Sequence, residues 1–179
     1  KKDTNNMEDI WENSECSLSG KVKELNGNLY CPTDNGLYVV DSEAGTTLDM
    51  IADTVDCKGS DIDSNGNIYV LTETKLKKFD TNWNMVWEVD TESGASIIID
   101  AYDNIYTAEY GRSNGIRKFD VEGNEIWNFG NRFVDVVLDN ANNLIGAKAI
   151  GNPGIYSLTK DGDEVFRYGA IIGNYNAGS

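Results

Sequence analysis

One sequence pattern recurs along the whole chain, and its period constrains the possible folds more than any other feature. The first two copies read NGNLYCPTDNGLYVVD (26–41) and NGNIYVLTETKLKKFD (65–80). Three sets of equivalent positions recur in phase, at intervals of 37 to 40 residues: Trp11, Met50, Trp87, Trp127 and Phe166; Tyr30, Tyr69, Tyr106 and Ile145; and Asp41, Asp80, Asp120 and Thr159. Three sets in phase indicate an internal structural repeat.

Each repeat contains four short strand-like segments separated by turn residues. In the third repeat these segments are ASIIID, NIYTAEY, GIRKFD and NEIWNF. A four-stranded sheet of this size cannot bury both of its faces alone, and such units in series are typical of a β-propeller. We therefore predict an all-β propeller of about four four-stranded blades. The predicted blades span about 14–53, 54–90, 91–130 and 131–169, after an N-terminal outer strand at 5–13.

The repeats do not divide evenly into complete blades. Outer-strand sequences occur five times, beginning with MEDIWEN (7–13), whereas the inner three strands occur four times. The segment AIIGNYNAGS (170–179) resembles the start of another inner strand. Open sheet edges invite pairing with another chain. We expect either part of a larger propeller or a ring closed by a second copy; the alternative is a four-bladed ring sealed by the N-terminal strand.

Composition excludes several classes of function. The chain has 15 Lys and Arg against 30 Asp and Glu, a net charge of −15, which disfavours nucleic acid as a partner. Histidine is absent, so Ser-His-Asp and Cys-His catalysis and histidine metal sites are excluded. No apolar stretch reaches 18 residues, so insertion of a helix into a membrane is not expected.

The chain contains three cysteines, Cys16, Cys31 and Cys57. Their odd number and the lack of CxxC spacing argue against zinc and thioredoxin-like sites. Three buried thiols are the preferred interpretation, and one disulfide with a spare thiol is the alternative.

The stretch DIDSNGNIYV (61–70) resembles the opening of a calcium loop, with Asp61, Asp63 and Asn65 as weak candidate ligands. A calcium loop of the EF-hand type needs a bidentate Glu at its twelfth position, where this chain has Thr72. The other repeats place LNGN, AYDN and NANN at the same point, as expected of a hairpin turn. We predict a turn and no cofactor, with calcium as the weaker alternative.

The segments NGNLYCPTDNGLYVVDSEAGTTLDM and NGIRKFDVEGNEIWNF resemble the repeat of pyrroloquinoline-quinone-like propellers, with NHL-type propellers a close second. The resemblance covers about residues 5–169. Propellers of this type include quinoprotein dehydrogenases, envelope assembly scaffolds, secreted ligand-binding proteins and phage-tail modules. No segment matches the dehydrogenases' cofactor site. Residues that recur in phase are instead predicted to pack between blades: Trp11, Trp87, Trp127, Phe166, Tyr30, Tyr69 and Tyr106.

Three side chains are candidate ligand-binding residues. The enlarged loop EYGRSNG (109–115) contains Tyr110 and Arg112, a pair suited to stacking and to carboxylate or sugar recognition. Trp83 falls in a turn, where it contacts a partner or covers a blade edge. The acidic groups Glu122/Glu125 and Asp161/Asp163/Glu164 fall in polar turns and are expected to be solvated rather than catalytic.

The preferred function is therefore a non-catalytic scaffold for binding and assembly, on a bacterial surface or in a phage tail. Its expected partner is a protein or a second copy, bound through open blade edges. The first alternative is a secreted propeller that binds a glycan or small ligand, and the second is a propeller-type hydrolase or lyase. An extracellular, cell-surface or virion location is favoured.

Overall fold

The computed structural model describes residues 12–169, which form four antiparallel sheets of four strands each. Blade 1 contains β1 (Lys23–Leu25), β2 (Asn28–Thr33), β3 (Gly36–Asp41) and β4 (Thr47–Ile51). Blade 2 contains β5 (Cys57–Ile62), β6 (Ile68–Thr72), β7 (Lys75–Phe79) and β8 (Met85–Asp90). Blade 3 contains β9 (Gly94–Ile99), β10 (Ile105–Glu109), β11 (Ile116–Phe119) and β12 (Glu125–Phe129). Blade 4 contains β13 (Phe133–Leu138), β14 (Leu144–Lys148), β15 (Gly154–Leu158) and β16 (Glu164–Gly169).

Within each blade the strands pair in chain order, so that the first strand is innermost and the fourth is outermost. Every residue of β6 and β10 is buried, whereas every residue of β16 is exposed. Central strands covered by blades on both faces read as continuous apolar runs, such as IYVLT in β6. The pairing of the third and fourth strands is shifted by a β-bulge in every blade, for example between Lys78 and Phe79.

The hydrophobic core lies between neighbouring blades rather than inside any one of them. Three clusters of buried side chains each join two consecutive blades. Tyr30 and Val70 belong to the cluster of blades 1 and 2, whereas Tyr69 and Phe119 belong to that of blades 2 and 3. Tyr106 belongs to the cluster of blades 3 and 4. Within residues 12–169 no such cluster joins blade 4 to blade 1, so the described blades form an open arc.

The predicted four-stranded units are confirmed in number and in strand order. Trp11 and the rest of segment 5–11, predicted as an outer strand, lie outside the described residues, as does segment 170–179. Among the described residues there is no helix long and apolar enough to cross a membrane.

Candidate functional site

Five hairpin turns at one end of the blades share the motif Asp-x-x-x-Asn. They are Asp63–Asn67, Asp80–Asn84, Asp100–Asn104, Asp120–Asn124 and Asp139–Asn143. In each turn one carboxylate oxygen accepts hydrogen bonds from the backbone N–H groups two and four residues later, at 2.8 to 3.0 Å. The Asn side chain donates back to the same carboxylate. In a sixth turn the Thr159 hydroxyl takes the place of the carboxylate.

The candidate calcium ligands belong to this system of turns and ion pairs. The Asp63 carboxylate accepts from Asn67 Nδ2 at 2.8 Å and from the Tyr69 hydroxyl at 3.1 Å, as well as from two backbone N–H groups. Asp61 accepts from the backbone N–H of Ile99 at 2.9 Å and pairs with Lys23 Nζ at 2.9 Å. A calcium ion would have to displace these donors, so we retain the interpretation of this stretch as a turn. Across residues 12–169, no cluster of three or more Asp, Glu, Cys or His side chains is arranged to hold a metal ion.

The lowered pKa values of some turn carboxylates allow a prediction of how the stability of the fold depends on pH. Hydrogen bonds from the paired asparagines hold the pKa of Asp80, Asp120 and Asp139 below the usual value. A carboxyl group whose pKa is lower in the folded state stabilises the fold above its unfolded pKa, and this contribution is lost as the pH falls through the folded pKa. We expect the Tm of the wild type to fall steeply below about pH 4.

A variant with threonine at all three positions, copied from the Thr159 turn, should lose less Tm over the same acid range. The measurement is thermal unfolding by circular dichroism from neutral to acid pH. If the Tm of the triple variant falls as much as that of the wild type between neutral and acid pH, other groups dominate the acid dependence of stability.

Two of the three interfaces between described blades carry the same polar contacts. At the interface of blades 2 and 3, Trp87 Nε1 and Lys78 Nζ both donate to the carbonyl of Val121, each at 3.1 Å. At the interface of blades 3 and 4, Trp127 Nε1 and Lys118 Nζ donate to the carbonyl of Lys160, at 3.2 and 3.1 Å. We call each set a tryptophan–lysine pair; it connects the outer half of one blade to a turn of the next.

A glycine in the accepting turn lets the indole ring lie flat against the backbone. A Cβ atom added at Gly123 would come within 3.0 Å of the Trp87 ring, and one at Gly162 within 3.0 Å of the Trp127 ring. Both glycines have positive φ, at 87° and 91°, which glycine adopts without steric cost. On the other side, Trp87 contacts the ring of Tyr69, with 5.8 Å between centroids.

Trp83 occupies the corresponding turn position in blade 2. Its φ is 64°, which is unusual for a bulky side chain. In blade 1 the position of the outer tryptophan is taken by Met50, which is paired with Tyr38 on the neighbouring strand. Trp83 is partly buried against the core cluster of blades 1 and 2, beside Leu25. This placement favours the interpretation that it covers a blade edge.

Tyr110 and Arg112 lie at the opposite end of the blades from Trp83. Their loop joins the second strand of a blade, β10, to the third, β11, whereas the turn that contains Trp83 joins the third strand, β7, to the fourth, β8. The Glu92 carboxylate holds this loop by accepting from the backbone N–H groups of Ser113 and Asn114, at 2.8 and 3.2 Å. Both candidate side chains are exposed, with Tyr110 at 39%. The structure therefore does not bring the three predicted ligand-binding residues together.

Sequence reasoning missed a buried ion pair beneath this loop. Glu109 is fully buried and accepts from Arg117 at 3.1 Å, from the Thr107 hydroxyl at 3.0 Å and from the backbone N–H of Glu92 at 2.7 Å. Arg117 also pairs with Glu125 at 2.6 Å. One sequence feature could have revealed this ion pair. Glu109 ends the otherwise apolar strand IYTAE, at the position where the first two repeats have threonine.

A central cavity of about 210 Å³ is lined by the inner strands of blades 2, 3 and 4 and by the segment before β1. Its polar side chains include Lys21 and Asp135, which approach to 3.7 Å, and Ser96, whose hydroxyl donates to Asp135 at 2.6 Å. None of the predicted ligand-binding residues lines it.

The face of blade 4 that points away from blade 3 is uncovered among the described residues. It carries a groove of about 420 Å³ that includes Ala147, Pro153, Ile155 and Tyr168. Phe166 occupies the repeat position of Trp87 and Trp127 and was predicted to pack between blades, but it is 52% exposed. Tyr168 is 75% exposed and Ile155 41%. We call this surface the open face of blade 4.

Comparison with known proteins identifies the class of fold. No family model matches the chain, and no curated protein matches it in sequence. The structure is similar to hydrazine synthase of Kuenenia stuttgartiensis, with a TM-score of 0.69 and 15% identity over 80% of this chain and 46% of that one. It is also similar to the extracellular domain of a hybrid two-component system from B. thetaiotaomicron, with a TM-score of 0.65 and 18% identity over 87% of this chain and 23% of that one. A third similar structure is the WD40 β-propeller domain of Doa1, with a TM-score of 0.57 and 9% identity over 67% of this chain and 43% of that one.

At these identities the similarity shows the fold alone. Together with the four stacked blades, it confirms the predicted β-propeller class. The chain spans about half the length or less of these three structures. The pyrroloquinoline-quinone-like or NHL subtype stays a prediction.

Proposed function

We propose that this chain is a non-catalytic propeller segment that acts as a scaffold for binding and assembly, with the open face of blade 4 as its principal contact surface. The observation that carries the proposal is the exposure of Phe166. At the same repeat position, Trp87 and Trp127 are covered by the following blade and donate to its turn. The expected partner is therefore a further blade, supplied by a second copy or by a longer chain.

The chemistry of the open face supports a blade-like partner. Its exposed side chains Ile155, Phe166 and Tyr168 form an apolar patch on a chain whose net charge is −15. Contiguous exposed apolar surface on a charged protein marks interaction sites. Within residues 12–169 the outer edge of β16 is unpaired, and it adds backbone donors and acceptors that another strand could use.

The described carboxylates support a non-catalytic role, because many are engaged in turns or ion pairs. Asp120 bonds Asn124, and Glu125 pairs with Arg117. We also propose an extracellular or surface location, which the similarity to an extracellular domain supports. A bacterial surface and a phage tail are the settings that the sequence resemblance favours.

The solution mass of the purified chain tests the proposal. We expect multi-angle light scattering during gel filtration to give twice 19.7 kDa at high protein concentration. The double variant Ile155→Asp/Phe166→Asp should elute as a monomer, since two charges would be buried unpaired. The double variant Val86→Asp/Ile126→Asp, on exposed outer-strand positions of blades 2 and 3, is the matched control and should associate like the wild type. A wild-type mass of 19.7 kDa at all concentrations would exclude self-association, and a dimer unaffected by the first variant would exclude this face.

The central cavity favours a second candidate function, the binding of a small polar ligand such as a sugar. Lys21, Ser96 and Asp135 offer donors and acceptors at one point on the propeller axis. The volume of about 210 Å³ is smaller than that of a typical drug-sized pocket, so a single sugar ring is the largest ligand expected. Titration calorimetry with monosaccharides, compared between the wild type and Asp135→Ala, tests this alternative.

A further inference from the structure

A further cavity, of about 200 Å³, lies between blades 1 and 2 at the end that carries the hairpin turns. Blade 1 contributes its first hairpin turn and Tyr30 to the lining. Blade 2 contributes Thr81, Trp83 and the turn that contains Asn65. Neither the central cavity nor the groove on the open face of blade 4 shares a lining residue with it. This site is therefore independent of the surfaces considered under the proposed function.

The buried Tyr30 lacks the hydrogen bond that its equivalents make. In blades 2 and 3 the hydroxyls of Tyr69 and Tyr106 donate to the turn carboxylate six residues earlier, each at 3.1 Å. Tyr30 is 4% exposed, and its hydroxyl has no hydrogen-bond partner within residues 12–169. Solvent nevertheless reaches this hydroxyl, which places it at the wall of the cavity. Buried polar groups are normally hydrogen-bonded, so a free hydroxyl here indicates a ligand site.

The first turn of blade 1 explains why the hydrogen bond is missing. Glu24 takes the place of the turn aspartate, but it lies within β1, before the two-residue turn 26–27. Its carboxylate accepts from the backbone N–H of Gly27 at 2.8 Å instead of from Tyr30. The side chain of Asn28 also has no partner within residues 12–169, whereas its equivalents donate to the turn aspartate. Two polar side chains at the cavity are therefore free to bind a ligand.

Trp83 supplies an aromatic wall to the cavity while it covers the blade edge. The same turn position is glycine in the next two blades, at Gly123 and Gly162, and all three residues have positive φ. A tryptophan held at a φ of 64° has a steric cost that glycine avoids, and such outliers cluster at ligand sites. No indole reaches this interface from blade 1, because Met50 stands at the outer-strand position. The aromatic ring at this interface is therefore the one that borders the cavity.

We propose that this cavity binds a single neutral sugar ring, with the Tyr30 hydroxyl and the Asn28 amide as hydrogen-bonding groups and Trp83 as the apolar wall. No charged side chain lines the cavity, although 25% of the residues in the chain are charged. A charged ligand would find no partner of opposite charge there. Sugars combine hydroxyl groups with apolar C–H faces, which suits amides and hydroxyls beside an aromatic ring. The small volume limits the ligand to one ring.

The test is titration calorimetry of the full chain with D-glucose, D-galactose, D-mannose and N-acetyl-D-glucosamine. We expect saturable binding of at least one of these sugars. Tyr30→Phe removes only the free hydroxyl, so it should weaken this binding about fivefold and leave the Tm unchanged. Trp83→Gly, which copies Gly123, should abolish binding. Tyr30→Phe decides the test even if Trp83→Gly fails to fold.

Tyr106→Phe is the matched control at the equivalent position of blade 3. It removes a hydroxyl that donates to Asp100, so it should lower the Tm by about 2–4 °C and leave sugar binding unchanged. Asp135→Ala, which alters the central cavity, should also leave this binding unchanged.

Three results would overturn the proposal. The first is the absence of saturable binding with all four sugars. The second is binding that Asp135→Ala abolishes and Tyr30→Phe leaves intact, because the sugar would then occupy the central cavity. The third is a loss of Tm in Tyr30→Phe as large as that in Tyr106→Phe, because the Tyr30 hydroxyl would then have a partner within the folded chain.

Discussion

Replacing Glu109 with alanine is expected to lower the free energy of unfolding by about 3 kcal/mol, because the buried Arg117 guanidinium loses its buried carboxylate partner and keeps only the partly exposed Glu125. Glu109 is fully buried, and the Arg117 side chain that it pairs with is 10% exposed. The substitution also removes the acceptor for the Thr107 hydroxyl and for the backbone N–H of Glu92. Since Glu92 holds the 109–115 loop, the loop that carries Tyr110 should loosen as well.

The matched control is Glu125→Gln, which removes the other carboxylate of Arg117. The Glu125 side chain is 41% exposed, so this ion pair is expected to contribute only about 0–1 kcal/mol. Urea unfolding followed by tryptophan fluorescence measures both variants, and Glu109→Gln should recover part of the loss because an amide oxygen still accepts. Equal losses for Glu109→Ala and Glu125→Gln would contradict the assignment of Glu109 as the buried partner.

The difference between what the sequence predicts and what it misses follows from the range of the interactions. Strands and hairpin turns are determined by neighbours within a few residues, and the period of the repeat reveals which positions are equivalent. The spacing predicts that Asp41, Asp80, Asp120 and Thr159 are equivalent, and in the structure all four accept backbone hydrogen bonds in turns. Stacking of the blades follows, because no single sheet buries both faces.

Features that occur in only one blade or at only one pair of blades could not be predicted in this way. The pairing of Glu109 with Arg117 joins two strands of one sheet that the sequence separates by a variable loop. Trp83 packs against the core cluster of blades 1 and 2, so its role depends on residues of another blade. The chemistry of Tyr110 and Arg112 makes them candidate ligand-binding residues, but it does not indicate which other residues lie nearby.

The interfaces also show why the repeat predicts a partner more clearly than it predicts a ligand. The tryptophan–lysine pair recurs at two interfaces with distances that agree within 0.1 Å, from 3.1 to 3.2 Å. At blade 4 the packing part of this contact can recur but its hydrogen bonds cannot, because Phe166 has no N–H group and Ser157 takes the place of Lys118. No contact recurs in this way at the central cavity, because the side chains that line it differ from one part of the chain to the next. The repeat therefore gives no prediction of what the cavity binds.

Trp127→Ala is expected to lower the free energy of unfolding by about 3 kcal/mol, at the lower end of the cost of deleting a large aromatic side chain, because Trp127 is only partly buried. The substitution removes the packing of the indole on Gly162 and on Tyr106, whose ring centroid lies 6.0 Å away. It also removes the hydrogen bond to the carbonyl of Lys160. Trp127→Phe should recover most of the packing but not this hydrogen bond.

Phe166→Ala is the matched variant at the same repeat position, and it separates packing within the arc from packing against a partner. Phe166 is 52% exposed, so in the monomer its truncation should cost less than about 1 kcal/mol. Under conditions where the chain associates, the same truncation should weaken association, because a following blade would cover this side chain as blade 4 covers Trp127. Urea unfolding at low concentration and light scattering at high concentration measure the two effects separately. A monomer that loses as much stability from Phe166→Ala as from Trp127→Ala would mean that the chain itself already covers the open face of blade 4.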